Sequence, residues 1–119
     1  MKESILAEKA YAFALRVVRL YRHLYKPGAE AVLLRQLLRC GTSVGANVHE
    51  AGVAQSPADF VAKLGIARKE AAESTYWIRL LHDAGYLDTP GFNSLHTDSQ
   101  EPGRLLTASV KTAQKKPTP

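Results

Sequence analysis

Residues 56–85 read SPADFVAKLGIARKEAAESTYWIRLLHDAG. Within them Phe60, Leu64, Ala67, Ala71, Ser74, Ile78, Leu81 and Gly85 follow an unbroken 4-3-4-3-4-3-4 ladder. Such spacing returns to one face of an α-helix, so the stretch predicts a single helix of about 29 residues, ~43 Å long at the standard rise. Its start is marked three times over. Ser56 can cap, Pro57 fits the first helical position where its missing N–H costs nothing, and Asp59 suits the helix dipole and resembles a capping box. Gly85 supplies the terminator. A helix this long with one apolar face requires other helices to cover it.

Upstream, Leu6, Ala10, Phe13, Val17, Leu20 and Leu24 form the seam of a first helix, which stops at Lys26-Pro27-Gly28 because proline disfavours helical geometry in the residue before it. Leu34, Leu37, Gly41, Val44, Val48 and Ala51 repeat the pattern in a second helix. Gly41, Gly45 and Gly52 each weaken it by ~1 kcal/mol relative to alanine, so tertiary packing must compensate. Downstream, Tyr86 to Asp98 contains Pro90, Gly91 and Asn93 and reads as a loop. Leu105, Leu106, Val110 and Ala113 then predict a shorter fourth helix capped by Ser99, with Pro102 in its first turn. Short first and second connections make neighbouring helices antiparallel. The expectation is an all-α, up-down-up-down antiparallel four-helix bundle, one domain over residues 1–116 with a frayed tail at 117–119.

The chain has 119 residues, enough for one compact domain. No apolar run approaches the ~20 residues of a membrane span, and Met1-Lys2-Glu3-Ser4 leads into an amphipathic pattern without a signal-peptide core. A cytoplasmic protein with no membrane partner is expected. Its lone cysteine, Cys40, excludes an intrachain disulfide and a cysteine-based metal cage.

The net charge is +5, the sign of many nucleic-acid binders. Residues 1–39 hold eight Lys/Arg and three Asp/Glu, residues 40–103 four and eight, and residues 104–119 four and none, so the segments carry +5, −4 and +4. In an up-down-up-down bundle the first and last helices are adjacent, which allows the two basic ends to share a surface. Arg16, Arg19 and Arg22, at three-residue spacing, together with Arg104, Lys111, Lys115 and Lys116, are the candidate phosphate-binding residues. The same charges also serve simply to solvate the outside of a bundle. Tyr11, Tyr21 and Tyr25 lie among the arginines, either to stack on bases or to flank the apolar seam.

Catalytic signals are thin. His23, His49, His82 and His96 show neither a His-Glu-x-x-His motif nor metal-ligand spacing. His49 and Glu50, adjacent on a helix, do not face each other. Cys40 has no evident base beside it, and Gly41 to Asn47 lacks the ending and the preceding strand of a phosphate loop. No catalytic residue, metal or cofactor is expected.

Gly41, Ser43, Gly45 and Ala46 make a small helix face that permits close backbone approach, within the bundle or between subunits. Ser43, Asn47 and Glu50 belong either to ordinary packing with a satisfied asparagine or to a subunit seam. On the long helix, Asp59/Lys63 and Lys69/Glu73 are opposite charges spaced by four, a solvated row or a face that meets another copy. Tyr76 and Trp77 follow, and being adjacent they cannot both enter one narrow seam.

The run from Arg39 to Leu87 resembles the bacterial four-helix-bundle family first noticed as reading frames within intervening sequences of large-subunit ribosomal RNA genes. The resemblance rests on Gly41-Thr42-Ser43-Val44-Gly45-Ala46-Asn47-Val48 with Glu50-Ala51, and on Gln55-Ser56-Pro57-x-Asp59-Phe60-x-x-Lys63-Leu64-x-Ile66-Ala67-x-Lys69-Glu70-Ala71-x-Glu73-x-x-Tyr76-Trp77. Ala51 stands where the family's pattern has glycine, and Val44 and Val48 where it has isoleucine. The resemblance implies a four-helix bundle assembled as a homopentamer, similar to the accessory protein of diversity-generating retroelements, which binds nucleic acid and a reverse transcriptase through a basic surface. It assigns Ser43, Asn47, Glu50, Lys69, Glu70 and Glu73 to interhelical or intersubunit structure. It says nothing about the arginines of the first helix, which are chosen on charge placement. Two functions follow as expectations: a non-enzymatic oligomer binding RNA or DNA, or an oligomeric scaffold docking a protein partner without nucleic acid.

Overall fold

A computed structural model describes residues 2–26 and 29–115, leaving Met1, Pro27, Gly28, Lys116 and the 117–119 tail outside the described residues. Four helices account for nearly all of it: α1 (Lys2–Leu24), α2 (Ala29–Ala51), α3 (Pro57–Asp83) and α4 (Thr89–Lys115). Each packs against its sequence neighbours, and α4 returns to α1 to close an up-down-up-down bundle measuring 53 × 23 × 19 Å. The α1/α4 seam is the sparsest of the four.

The long helix begins and ends where its sequence signals place it. Ser56 Oγ accepts from Asp59 N–H at 3.0 Å, and Asp59 reaches back to the Gln55 N–H at 3.1 Å, one residue before the capping-box position. At the other end Gly85 takes φ +92°, Gly85 N–H donates to His82 O and Tyr86 N–H to Leu81 O. That pair of bonds is a Schellman closure, and its left-handed residue is the reason glycine stands there.

The last helix differs from expectation. It starts at Thr89, ten residues before Ser99, and runs for 27 residues. Asp88 caps it, accepting the Gly91 N–H on Oδ1 at 2.6 Å, so Pro90 and Gly91 lie in the first turn, where proline is tolerated. Ser99 is inside the helix and buried, its hydroxyl donating to His96 O at 2.7 Å. Pro102 is also interior and buried. It removes the N–H that would meet the Asp98 carbonyl, a defect worth ~3 kcal/mol in an isolated helix and offset here in part by burial of the ring.

The core divides into two clusters. Toward one end, Leu6, Ala10, Val44, Val48, Leu64 and Leu106 pack with their small neighbours; toward the other, Phe13, Val17, Leu34, Leu37, Ile78, Leu81 and Leu95 do so. Between them runs a waist of small or polar residues. Ser74 donates to Glu70 O at 2.8 Å and lies 3.3 Å from Cys40 Sγ, while the Thr75 and Ser99 hydroxyls meet at 3.3 Å. Among the described residues no buried side-chain polar atom lacks a hydrogen-bond partner, as a stable interior requires.

Gly41 and Gly45 face α1 of the same chain. A Cβ on Gly41 would stand 2.9 Å from Val17 Cγ2, and one on Gly45 would stand 3.5 Å from the Ala10 carbonyl oxygen. The small face of α2 therefore serves close approach within the bundle.

Candidate nucleic-acid interface

The arginine stripe of α1 and the cations of α4 do not form one surface. The two helices are antiparallel, with Arg16 level with Asp98 and Lys9 level with Glu101. Arg104 and Lys111 thus lie toward the start of α1, whereas Arg19 and Arg22 lie toward the start of α4. By the helix rise, Arg22 and Lys111 are roughly 28 Å apart along the bundle. Adjacent helices were expected to bring the basic ends together; their opposite directions separate the arginine stripe from the α4 cations.

Arg16 is committed elsewhere. Its Nη1 lies 2.5 Å from Asp98 Oδ2 and its Nη2 donates to Ser94 Oγ at 2.8 Å, so it bridges α1 to α4. Arg19 and Arg22 are exposed and have no acidic partner among the described residues. Tyr21 packs beside the second core cluster with its ring 5.1 Å from that of Tyr25, while Tyr11 is 71% exposed.

Arg104 and Lys111 line an open groove of about 740 Å³ between α3 and α4, and Arg68 of α3 lines it with them. The antiparallel register brings Thr75 to Ser99 and Ala71 to Gly103, which sets Arg68 level with Leu106, between the two α4 cations. All three are exposed, and none has an acidic partner within 4.0 Å among the described residues. No acidic residue and no aromatic ring lines the groove. Lys115 is exposed one turn beyond Lys111, and Lys116 is outside the described residues. Arg68 escaped the sequence reading because its place beside Arg104 depends on the register of two helices; the absence of an i±4 acid, with Leu64 and Ala72 at those positions, was the only local clue.

The polar positions of the family pattern converge on the other flank of α3, along the α2/α3 seam. Arg39 pairs with Glu73 and lies 3.4 Å from Glu70 Oε2; Trp77 Nε1 donates to Glu73 Oε2 at 2.9 Å. Lys63 Nζ meets Glu50 Oε1 at 3.0 Å, and this carboxylate raises the lysine's pKa. Asn47 Nδ2 donates to Ser43 O and Ser43 Oγ, satisfying the amide within its own helix. The two i,i+4 pairs expected on α3 are thus replaced: Lys63 and Glu73 find partners on α2, and Asp59 serves as a cap. Lys69 is exposed, and Tyr76, 59% exposed, stands edge-on to the half-buried Trp77. Ile66 and Val32 are also exposed, at 43% and 52%.

Cys40 is buried, and desolvation pushes its thiol pKa up, with the Ser74 hydrogen bond opposing. Among the described residues no group of three or more His, Cys, Asp or Glu could hold a metal ion, and no described helix is long and apolar enough to cross a membrane.

Comparison with known proteins adds two findings. The family model described as 23S rRNA-intervening sequence protein matches residues 2–108. A crystal structure of a protein with unknown function from the S23 ribosomal protein family of Bacteroides thetaiotaomicron VPI-5482 superposes with a TM-score of 0.88 at 44% sequence identity, covering 93% of this chain and 99% of that one. No curated protein matches.

Proposed function

The chain belongs to the 23S rRNA-intervening sequence protein family, and from that premise we propose that it is a non-enzymatic, homo-oligomeric bundle that binds RNA or DNA through a basic surface. The observation that carries this reading is the cationic stripe of Arg104, Lys111 and Lys115, without an acidic partner among the described residues, on a half-helix that has no acid from residue 104 onward. Unneutralised cations at fixed spacing release counterions when they meet phosphates, which supplies affinity without sequence readout. In this reading the particle is a homopentamer, as the motif resemblance over residues 39–87 implies, and it works in the cytoplasm, the compartment that the N-terminal pattern and the lone Cys40 lead one to expect.

Assembly is assigned to the α2/α3 face, where the exposed Ile66, Tyr76 and Val32 leave apolar surface on the two helices that Arg39–Glu73 and Lys63–Glu50 join. The same exposed side chains favour the second reading, a scaffold that docks a protein partner and no nucleic acid. A salt series of binding isotherms with RNA and DNA, run beside light scattering, separates the two. Affinity falling steeply with salt on a pentameric particle supports nucleic-acid binding. A pentamer that shifts neither nucleic acid at low salt leaves the scaffold, and a monomer removes the assembly from both.

A further inference from the structure

We infer that the α3/α4 groove is a slot for the phosphate backbone of a double-helical nucleic acid, held by Arg68, Arg104 and Lys111 and reading no bases. The inference rests on the nucleic-acid reading above and names the site and the ligand form.

Three features of the groove lead there. Its walls carry cations from two helices: Arg104 and Lys111 are seven residues apart on α4, ~10 Å along the axis, and Arg68 enters from α3 between their levels. This gives three positive groups in a staggered row, none neutralised by an acid among the described residues. Ala71 and Gly103 meet at its base, and the other short side chains that line it include the exposed Ala72 and Ala108, so nothing bulky projects to block a sugar-phosphate ridge. The hydroxyls of Thr107, Ser99 and Thr75 already donate to Gly103 O, His96 O and Ala71 O at 2.9, 2.7 and 3.3 Å, which leaves the cations and Gln100 as the side-chain donors available to an anion.

The form of the ligand follows from what the groove lacks. Single strands are held by stacking their bases on aromatic side chains beside a basic track, and no Phe, Tyr, Trp or His lines this groove. A duplex keeps its bases stacked internally and offers only phosphates and sugars to such a surface. The α3/α4 face is matched to that chemistry by charge complementarity alone, for A-form and B-form duplexes alike.

Fluorescence anisotropy with a mixed-sequence RNA duplex, the matching DNA duplex and single-stranded polyuridylate tests this on the full chain, with Arg68→Ala and Arg79→Ala as the variants. Arg79 is an exposed α3 arginine outside the groove, 3.8 Å from Asp83, so its loss changes net charge equally. The expected result is tighter binding of both duplexes than of polyuridylate. Arg68→Ala weakens duplex binding about eightfold at 0.1 M salt, the value of one phosphate contact at a salt slope of 0.9, and Arg79→Ala leaves it within about twofold, as expected of a charge that makes no phosphate contact. Preference for one duplex over the other distinguishes RNA from DNA as the source of the backbone and supports the slot in either case. Polyuridylate binding more tightly, equal losses from the two variants, or a change of particle mass in Arg68→Ala, which would put a second copy of the chain in the groove, each overturns the inference while nucleic-acid binding stands. Failure of the unmodified protein to bind any of the three overturns both.

Discussion

Gly41 and Val17 meet where a side chain is missing: a Cβ on the glycine would lie 2.9, 3.1 and 3.3 Å from three carbons of the valine. The contact joins α1 to α2 beside the second core cluster, and Val17 is buried. Because valine is β-branched and stiff at χ1, it has little freedom to turn aside.

Gly41→Ala therefore sets two opposed effects against each other. Alanine gains up to ~1 kcal/mol of helix propensity, and overpacking a filled site costs roughly 1–3 kcal/mol. A net loss of about 1 kcal/mol is expected from these ranges. Gly45→Ala, whose nearest contact would be an ordinary 3.5 Å, and Gly65→Ala, which meets nothing within 4 Å, should each gain about 0.5–1 kcal/mol. Urea midpoints of the three variants check the order; Gly41→Ala at or above the parent would refute the steric account.

Ser56 and Asp88 do the same work at opposite ends of the molecule, each satisfying an N–H of a first turn. Ser56→Ala and Asp88→Ala should each cost about 1 kcal/mol. Since the caps serve different helices and share no partner, the double variant should cost their sum within ~0.5 kcal/mol. Thermal unfolding of the four proteins measures it, and a neutral Asp88→Ala would return the start of α4 to a later residue.

Burial raises the folded pKa of the Cys40 thiol above the ordinary 9.0. A group protonated more readily in the folded state gives stability that is complete below its unfolded pKa and is lost as pH rises through the folded value. Stability should thus decline from about pH 9 upward by a share that Cys40→Ala lacks. The difference between the two pH profiles is the measurement. An aromatic disulfide reagent should label native Cys40 only at the rate of unfolding.

Trp77, the chain's single tryptophan, donates to the carboxylate that Arg39 also holds. Glu73→Ala should shift its emission to the red and cost about 1 kcal/mol or less, since the ion pair is partly exposed. Glu73→Gln retains an acceptor for the indole and should leave the emission nearly in place. An unchanged spectrum in Glu73→Ala would mean the indole bond does not persist in solution.

The long helix was legible because its cap, its ladder and its terminator agree. The first half of α4 was not, because Pro90, Gly91 and Asn93 look like breakers until Asp88 is recognised as a cap that turns two of them into starting residues. Its core face, Phe92, Leu95, Ser99, Pro102, Leu106 and Val110, keeps helical spacing only when a serine and a proline are counted as interior. Hydrophobicity does not reveal them, since a serine and a proline are not residues whose type announces burial, yet both are buried. At the candidate site, charge counting found Arg104 and Lys111 but not Arg68. It selected Arg16 although its partner Asp98 is 82 positions away. Local pattern registers a charge; only the register between helices shows whether it is already spent.

Three of the four seams of the bundle join helices consecutive in the chain, and the fourth, between α1 and α4, is the sparsest and carries Arg16–Asp98 and Lys9–Glu101 at its margin. Most ordering can therefore proceed through short loop closures, which favours rapid folding, with the long-range zipper of α4 onto α1 closing last. In hydrogen exchange, amides along that seam should open at lower free energy than those of the α2/α3 pair. The bundle would then breathe by parting α1 from α4 while α3 and α4 stay packed, so the groove cations Arg68, Arg104 and Lys111 would keep their spacing.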